Sequence, residues 1–196
     1  MVRAPQTARS ERTREALRRA AMVRFLAQGV EETSAEQIAA DAGVSLRTFY
    51  RHFTSKHDLL FADYDAGLQW FRRALADRPE GEPVAASVQA AIFAFPYDVD
   101  AVTQIARLRS DELDPGRIVR HMREVQSDFA HAVLDHLRRR HPEADELAVT
   151  VTARCVAAAV FAGMEVWMQR EDRNLADLAV LCRDALESVA GGLPVS

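Results

Sequence analysis

Lysine is nearly absent from this chain: Lys56 is the only one among 25 Lys and Arg residues. Cysteine is scarce as well. Cys155 and Cys182 stand alone, at no metal-ligand spacing, which excludes a disulfide framework and fits a reducing cytosol, with both thiols buried in helices. Eight glycines and seven prolines in 196 residues leave few breaks, and no stretch alternates apolar and polar residues as a half-buried strand does. The longest unbroken apolar run, 156–164, falls short of the roughly 20 residues that a membrane helix needs. The first twenty residues are rich in arginine and lack the apolar core of a secretory signal. A cytoplasmic protein with no membrane partner is expected.

Catalytic signatures are missing too. There is no phosphate loop, nucleophile elbow or dinucleotide fingerprint. Asp128-x-x-His131 resembles half of a di-metal site in a helical bundle, but its Glu-x-x-His partner is absent. The pairs His52/His57, His131/His136 and His136/His141 are five apart, which turns them to different helix faces. No catalytic residue, metal or cofactor is expected.

What the chain does contain is helix. Hydrophobic residues make up 48%, enough for a sizeable core. Residues 1–8 read as a disordered arm, followed by a helix from about Ser10 to Ala27 that Gly29 ends. Thr33 with Glu36 reads as a capping box opening a short helix through Ala40, and Gly43 suits the left-handed turn behind it. Ser45 caps a third helix, Leu46 to about His52, that is too polar to be core. Two helices around a glycine turn make a helix-turn-helix, whose second helix enters the DNA major groove.

Beyond it, Ser55 and Asp58 cap a long helix from Lys56 to about Asp77 with Leu60, Tyr64, Leu68, Phe71 and Leu75 on one face. A loop at Pro79–Pro83 leads to helices at Val84–Phe95 and Val99–Ser110. Asp114-Pro115 opens a helix to about Arg140. Two more follow, at about Glu143–Arg170 and from Asn174 to Gly191-Gly192. The expectation is an all-α protein of about nine helices, with a DNA-binding domain at 9–55 and a helical-bundle domain at 56–196. Charge divides likewise. Residues 1–57 hold ten Lys and Arg against six Asp and Glu, while 58–196 hold fifteen against twenty-three. A basic head on an acidic body presents one end to a polyanion.

Ala42-Gly-Val-Ser45, Thr48-Phe-Tyr-Arg-His-Phe53 and Ser55-Lys56 resemble the DNA-binding signature of the TetR family of transcriptional regulators. The resemblance covers about residues 10–60. It implies a three-helix reading head and a helical domain that binds a small-molecule effector and dimerises. Many members carry glycine where this chain has Arg47, so its base preference is its own.

The DNA contacts expected on these grounds are Thr33, Ser34, Ser45, Leu46, Arg47, Thr48, Tyr50, Arg51, His52 and Lys56. Thr33 and Ser45 sit at helix starts, where hydroxyls and free N–H groups take phosphates. Arg47 and Thr48 lie nearest the base edges, and arginine can hold guanine O6 and N7 together. Resemblance implies backbone contacts for Tyr50, His52 and Lys56. It makes the arginines at 9, 12 and 14 candidate phosphate contacts, with a solvated helix start as the competing reading, as a solvated charge is for Arg51. Ile38, Ala42, Val44, Phe49 and Phe53 read as the head's core.

In the body, Tyr64, Phe71, Phe93, Phe95, Tyr97, Met122, Phe129 and Trp167 are candidates to line an effector cavity, with His136 as polar anchor; plain core packing is the competing reading for each. Ala157–Ala159, Ala162 and Gly163, with Leu178, Leu181, Cys182, Ala185 and Val189, suggest a homodimer through the last two helices or internal packing of the same surface. The function so implied is a ligand-responsive regulator, expected to be a repressor, that binds a palindromic double-stranded operator as a homodimer. An effector-independent regulator and a helical-bundle metalloenzyme or binding protein are the alternatives.

Overall fold

The computed structural model describes residues 4–94, 99–170 and 174–190. Among them are nine α-helices, one 3-10 segment and no strand. The chain forms two compact units, residues 1–63 with 103–118, and residues 64–102 with 119–196.

The first unit begins with α1 (Ala4–Gln28), so residues 4–8, expected in the arm, are helical. Pro5 is compatible because the first helical turn has no use for its missing N–H. Gly29, at φ 87°, closes α1 by donating its N–H to Phe25 O. The next helix, α2 (Ala35–Asp41), opens one residue later than the sequence suggests. Ser34 accepts the Gln37 N–H at 3.2 Å while the Gln37 side chain accepts from Ser34 N at 2.9 Å. Thr33 is instead buried, its hydroxyl donating to Gly29 O at 2.8 Å. The box with Glu36 therefore does not form, because the turn turns Thr33 inward.

Between α2 and α3 (Leu46–His52), Gly43 takes φ 67° and a Schellman motif forms: Val44 N donates to Ala39 O and Gly43 N to Ala40 O. Arg24 grips Asp41 with two hydrogen bonds at 2.6 and 3.0 Å, tying α2 to α1. Leu17, Ala21, Phe25, Ile38, Phe49 and Phe53 form the core of these three helices, while Ala42 and Val44 are only half-buried.

The expected long helix from Lys56 starts as a 3-10 segment (Lys56–Phe61) and becomes α4 (Ala62–Ala76). Such a tight turn is common at a helix start. Asp58 accepts the Thr54 and Ser55 N–H groups and is ion-paired with Arg117 at 2.8 Å. Arg109, buried, donates to Leu60 O at 2.8 Å and to Asp63 at 2.9 Å. Leu59 and Leu60 are buried, so packing extends the first unit past residue 55 to Asp63.

The second unit draws on α4, α5 (Val84–Phe93), α6 (Val99–Glu112), α7 (Pro115–Arg140), α8 (Glu146–Met168) and α9 (Leu175–Ala190). Arg140 pins the loop before α5 by donating to the carbonyls of Arg78, Pro79 and Glu80. Asp145 caps α8 by accepting from Ala148 N, so that helix starts at Glu146 rather than Glu143. Asn174 caps α9 as its sequence suggests, and Asp114 caps α7. Gly191 and Gly192 lie outside the described residues.

Taken whole, α8 is long and apolar enough to cross a membrane by length and composition, although its longest unbroken run is short. One face of it, including Ala153, Ala157, Val160 and Gly163, is buried in the core. Arg154 on the other face is exposed.

Candidate nucleic-acid interface

α3 is positioned by what it buries. Phe49 alone of its seven residues is buried, edge-on to Tyr50 with ring centroids 5.2 Å apart. At about 100° per residue, positions two before and two after Phe49 face the opposite way. Those positions are Arg47 and Arg51, and both are exposed. Tyr50 is exposed as well, while Leu46, Thr48 and His52 are half-buried. Ser45 accepts the Thr48 N–H at 3.2 Å and shares a second hydrogen bond with its hydroxyl at 2.9 Å, so cap and first turn hold one another.

His52 sits near Arg14 and Arg51. Burial first, and then those two cations, hold its imidazole below the ordinary histidine range. That shift favours the neutral imidazole at pH 7. Arg14 lies over the Phe53 ring at 4.8 Å, a packing role beside any contact with phosphate.

Two open grooves flank this surface. One brings Thr48 and Arg51 together with Arg9, Ser10 and Thr13 of α1. The other gathers Ser34, Tyr50 and Lys56 and adds Glu31, Glu32 and His57, which sequence reading missed. No local pattern could have shown that grouping, since Lys56 and Glu31 are 25 residues apart. Thr33 borders that groove but its hydroxyl is spent on Gly29 O. Lys56 is half-buried, with its ammonium donating to Val30 O at 2.8 Å and Glu31 O at 3.0 Å, so it staples the α1–α2 turn.

The profile described as "Bacterial regulatory proteins, tetR family" matches residues 17–62, and that of the "MftR C-terminal domain" matches residues 82–194. The HTH-type transcriptional regulator TcmR of Streptomyces glaucescens is 33% identical over 193 residues, covering 91% of this chain and 83% of TcmR. The chain belongs to the TetR family. It is a DNA-binding transcriptional regulator of the helix-turn-helix type. Among solved structures it resembles SmeT of Stenotrophomonas maltophilia in complex with triclosan, with TM-score 0.53, 25% identity and coverage of 91% of this chain and 90% of SmeT. Thermus thermophilus FadR shares the fold, with TM-score 0.54, 21% identity and coverage of 93% and 96%.

In the body of this TetR-family chain the aromatic candidates separate into two groups. Phe71 stacks on Phe129 with centroids 4.0 Å apart, Phe161 meets Phe129 edge-on at 5.9 Å, and all three are buried. Trp167 is buried too, its indole N–H donating to Asn174 O at 2.9 Å across the α8–α9 corner. His136 is 3% exposed. Burial, then Arg140, Arg139 and His141, push its pKa down to about 4, against a smaller opposing effect of Glu82. Tyr64, Phe93 and Met122 are half-buried at the margin of this core. Phe95 and Tyr97 lie outside the described residues.

Of the two readings open for the small residues on α8, internal packing describes Gly163, which meets the backbone of Leu181 and Cys182 on α9. Ala157 is buried in the same core.

Proposed function

We propose that this TetR-family regulator is a cytoplasmic homodimeric repressor that reads a palindromic operator and is released by a small, partly apolar effector. The observation that carries the reading is the placement of Arg47 and Arg51 on the face of α3 opposite the buried Phe49. That face is cationic and open, with capped backbone N–H groups at its start, as major-groove reading requires. Two such helices one DNA turn apart, roughly 34 Å, read the two halves of a palindrome. Pairing through the last two helices is supported by the exposed Leu147, Val151 and Val166 on α8 and Val180 on α9.

The effector would lie in the body against Tyr64, Phe93 and Met122, with the buried His136 as candidate polar anchor; Phe95 and Tyr97 are candidates on sequence alone. SmeT in complex with triclosan supports an apolar ligand for this fold. Release follows only if the effector binds the non-reading conformation more tightly, since equal affinity for both shifts nothing. Titration of the gene's own upstream region across salt concentrations tests the DNA half. Affinity should fall steeply with salt, and a salt-independent affinity contradicts phosphate anchoring.

A regulator without an effector is the second reading, favoured by the close stack of Phe71, Phe129 and Phe161. A thermal-shift screen beginning with triclosan separates the two: a ligand that raises the melting point and releases DNA excludes the second reading.

A further inference from the structure

The groove beside α3 already contains an anion. Glu31 Oε1 lies 3.2 Å from His57 Nε2 and 3.8 Å from Lys56 Nζ. The partners differ in freedom. The Lys56 side chain is 19% exposed and held by two backbone carbonyls, whereas that of Glu31 is 70% exposed. The cation is fixed and the carboxylate can swing away. Ser34, an expected DNA contact, and Tyr50, expected to touch the DNA backbone, line the same groove.

We propose that Glu31 is an internal counter-ion occupying a phosphate seat formed by Lys56, His57, Ser34 and Tyr50, so that DNA must displace it and Glu31 sets the strength of DNA binding. The inference rests on the reading of this edge as backbone-facing. Its physical basis is ion exchange. A phosphate that docks on Lys56 releases a condensed cation from the DNA, but the displaced Glu31 takes a cation up from solution. One release is thereby cancelled, and affinity and salt dependence are both reduced. Glu31 acts as a brake on non-specific binding, which every genomic duplex would otherwise share.

The test uses the full chain and a random-sequence DNA duplex, with fluorescence anisotropy read over a salt series. Three proteins are compared: the unaltered chain, Glu31→Gln and Glu32→Gln, with melting temperatures recorded for each. Glu32 lines the same groove one residue on, so its variant measures the general effect of removing a carboxylate there. Glu31→Gln should bind roughly 3- to 10-fold tighter at low salt, with the slope of log K against log salt steeper by up to about 0.9. Glu32→Gln should gain distinctly less. Equal gains for the two variants, or weaker binding by a normally melting Glu31→Gln, overturn the proposal. In the second case Glu31 aligns the cations instead of restraining them. If the unaltered chain fails to bind duplex at any salt, the DNA-facing reading itself falls, a result distinct from either of these.

Discussion

Gly163 and Cys182 meet where α8 crosses α9, with backbone against backbone. A β-carbon added at Gly163 would stand 3.2 Å from both Cα and N of Cys182, closer than packed atoms normally allow. In an open helix, Gly→Ala adds about 1 kcal/mol of stability through propensity. Here the crowding atoms are main chain and cannot rotate away, and overpacking costs about 1–3 kcal/mol. Gly163→Ala should therefore lower the melting temperature, and Gly163→Leu should lower it further. A rise with Gly163→Ala would show that the helices separate easily.

Phe129 lies between Phe71 and Phe161 in the body core. Phe129→Ala should cost about 3–5 kcal/mol in denaturant unfolding, and Phe129→Leu much less. A cost under about 1 kcal/mol would mean that the ring borders open space, as an effector cavity would provide.

Arg109 is buried, bonded to Leu60 O and Asp63, and lies over the Phe61 ring at 5.5 Å. Arg109→Met keeps the bulk but leaves the Asp63 carboxylate without this partner. Breaking one side of a buried pair costs about 3–5 kcal/mol. The loss should be smaller in an Arg109→Met, Asp63→Asn double variant, as a double-mutant cycle would read.

His136 links stability to acid. Its pKa in the fold, about 4, lies below the ordinary 6.5, so the unfolded chain binds more protons between those values. Stability should be full above pH 6.5 and decline as pH falls towards 4, by on the order of 3 kcal/mol at most. His136→Leu should flatten that part of the profile in pH-dependent thermal melts. An unchanged slope would place the effect elsewhere.

Arg47 and Tyr50 should separate in their effects on DNA. Arg47→Ala should relax base preference at one position per half-site, by about 1–3 kcal/mol of discrimination. Tyr50→Phe should weaken all sequences alike through a lost backbone contact. Operator selection from a randomised library reads both, and identical profiles would refute the division of roles.

Much of this was legible in local sequence, because caps, glycine turns and helical periodicity act within a few residues. Gly29 and Gly43 fall where left-handed turns are needed and Ser45 caps α3. Of the apolar positions that recur along α7, Val125, Phe129, Val133 and Leu137 are buried, while Ile118 and Met122 nearer its start are half-buried. The capping box slipped by one residue because Thr33 and Ser34 are both competent caps. The choice went to the residue whose neighbour could bury its hydroxyl on Gly29 O.

By itself, then, the order of residues determined an all-helical TetR-family regulator and which side chains of α3 are polar. Packing decided the rest: that Gly163 serves a contact inside the subunit, that Phe71 and Phe129 close upon each other, and that Lys56 spends its ammonium on the carbonyls of a turn where Glu31 faces it. Helix signals decay within a turn or two, whereas these contacts join residues 19 to 58 positions apart, and only the folded chain brings them together.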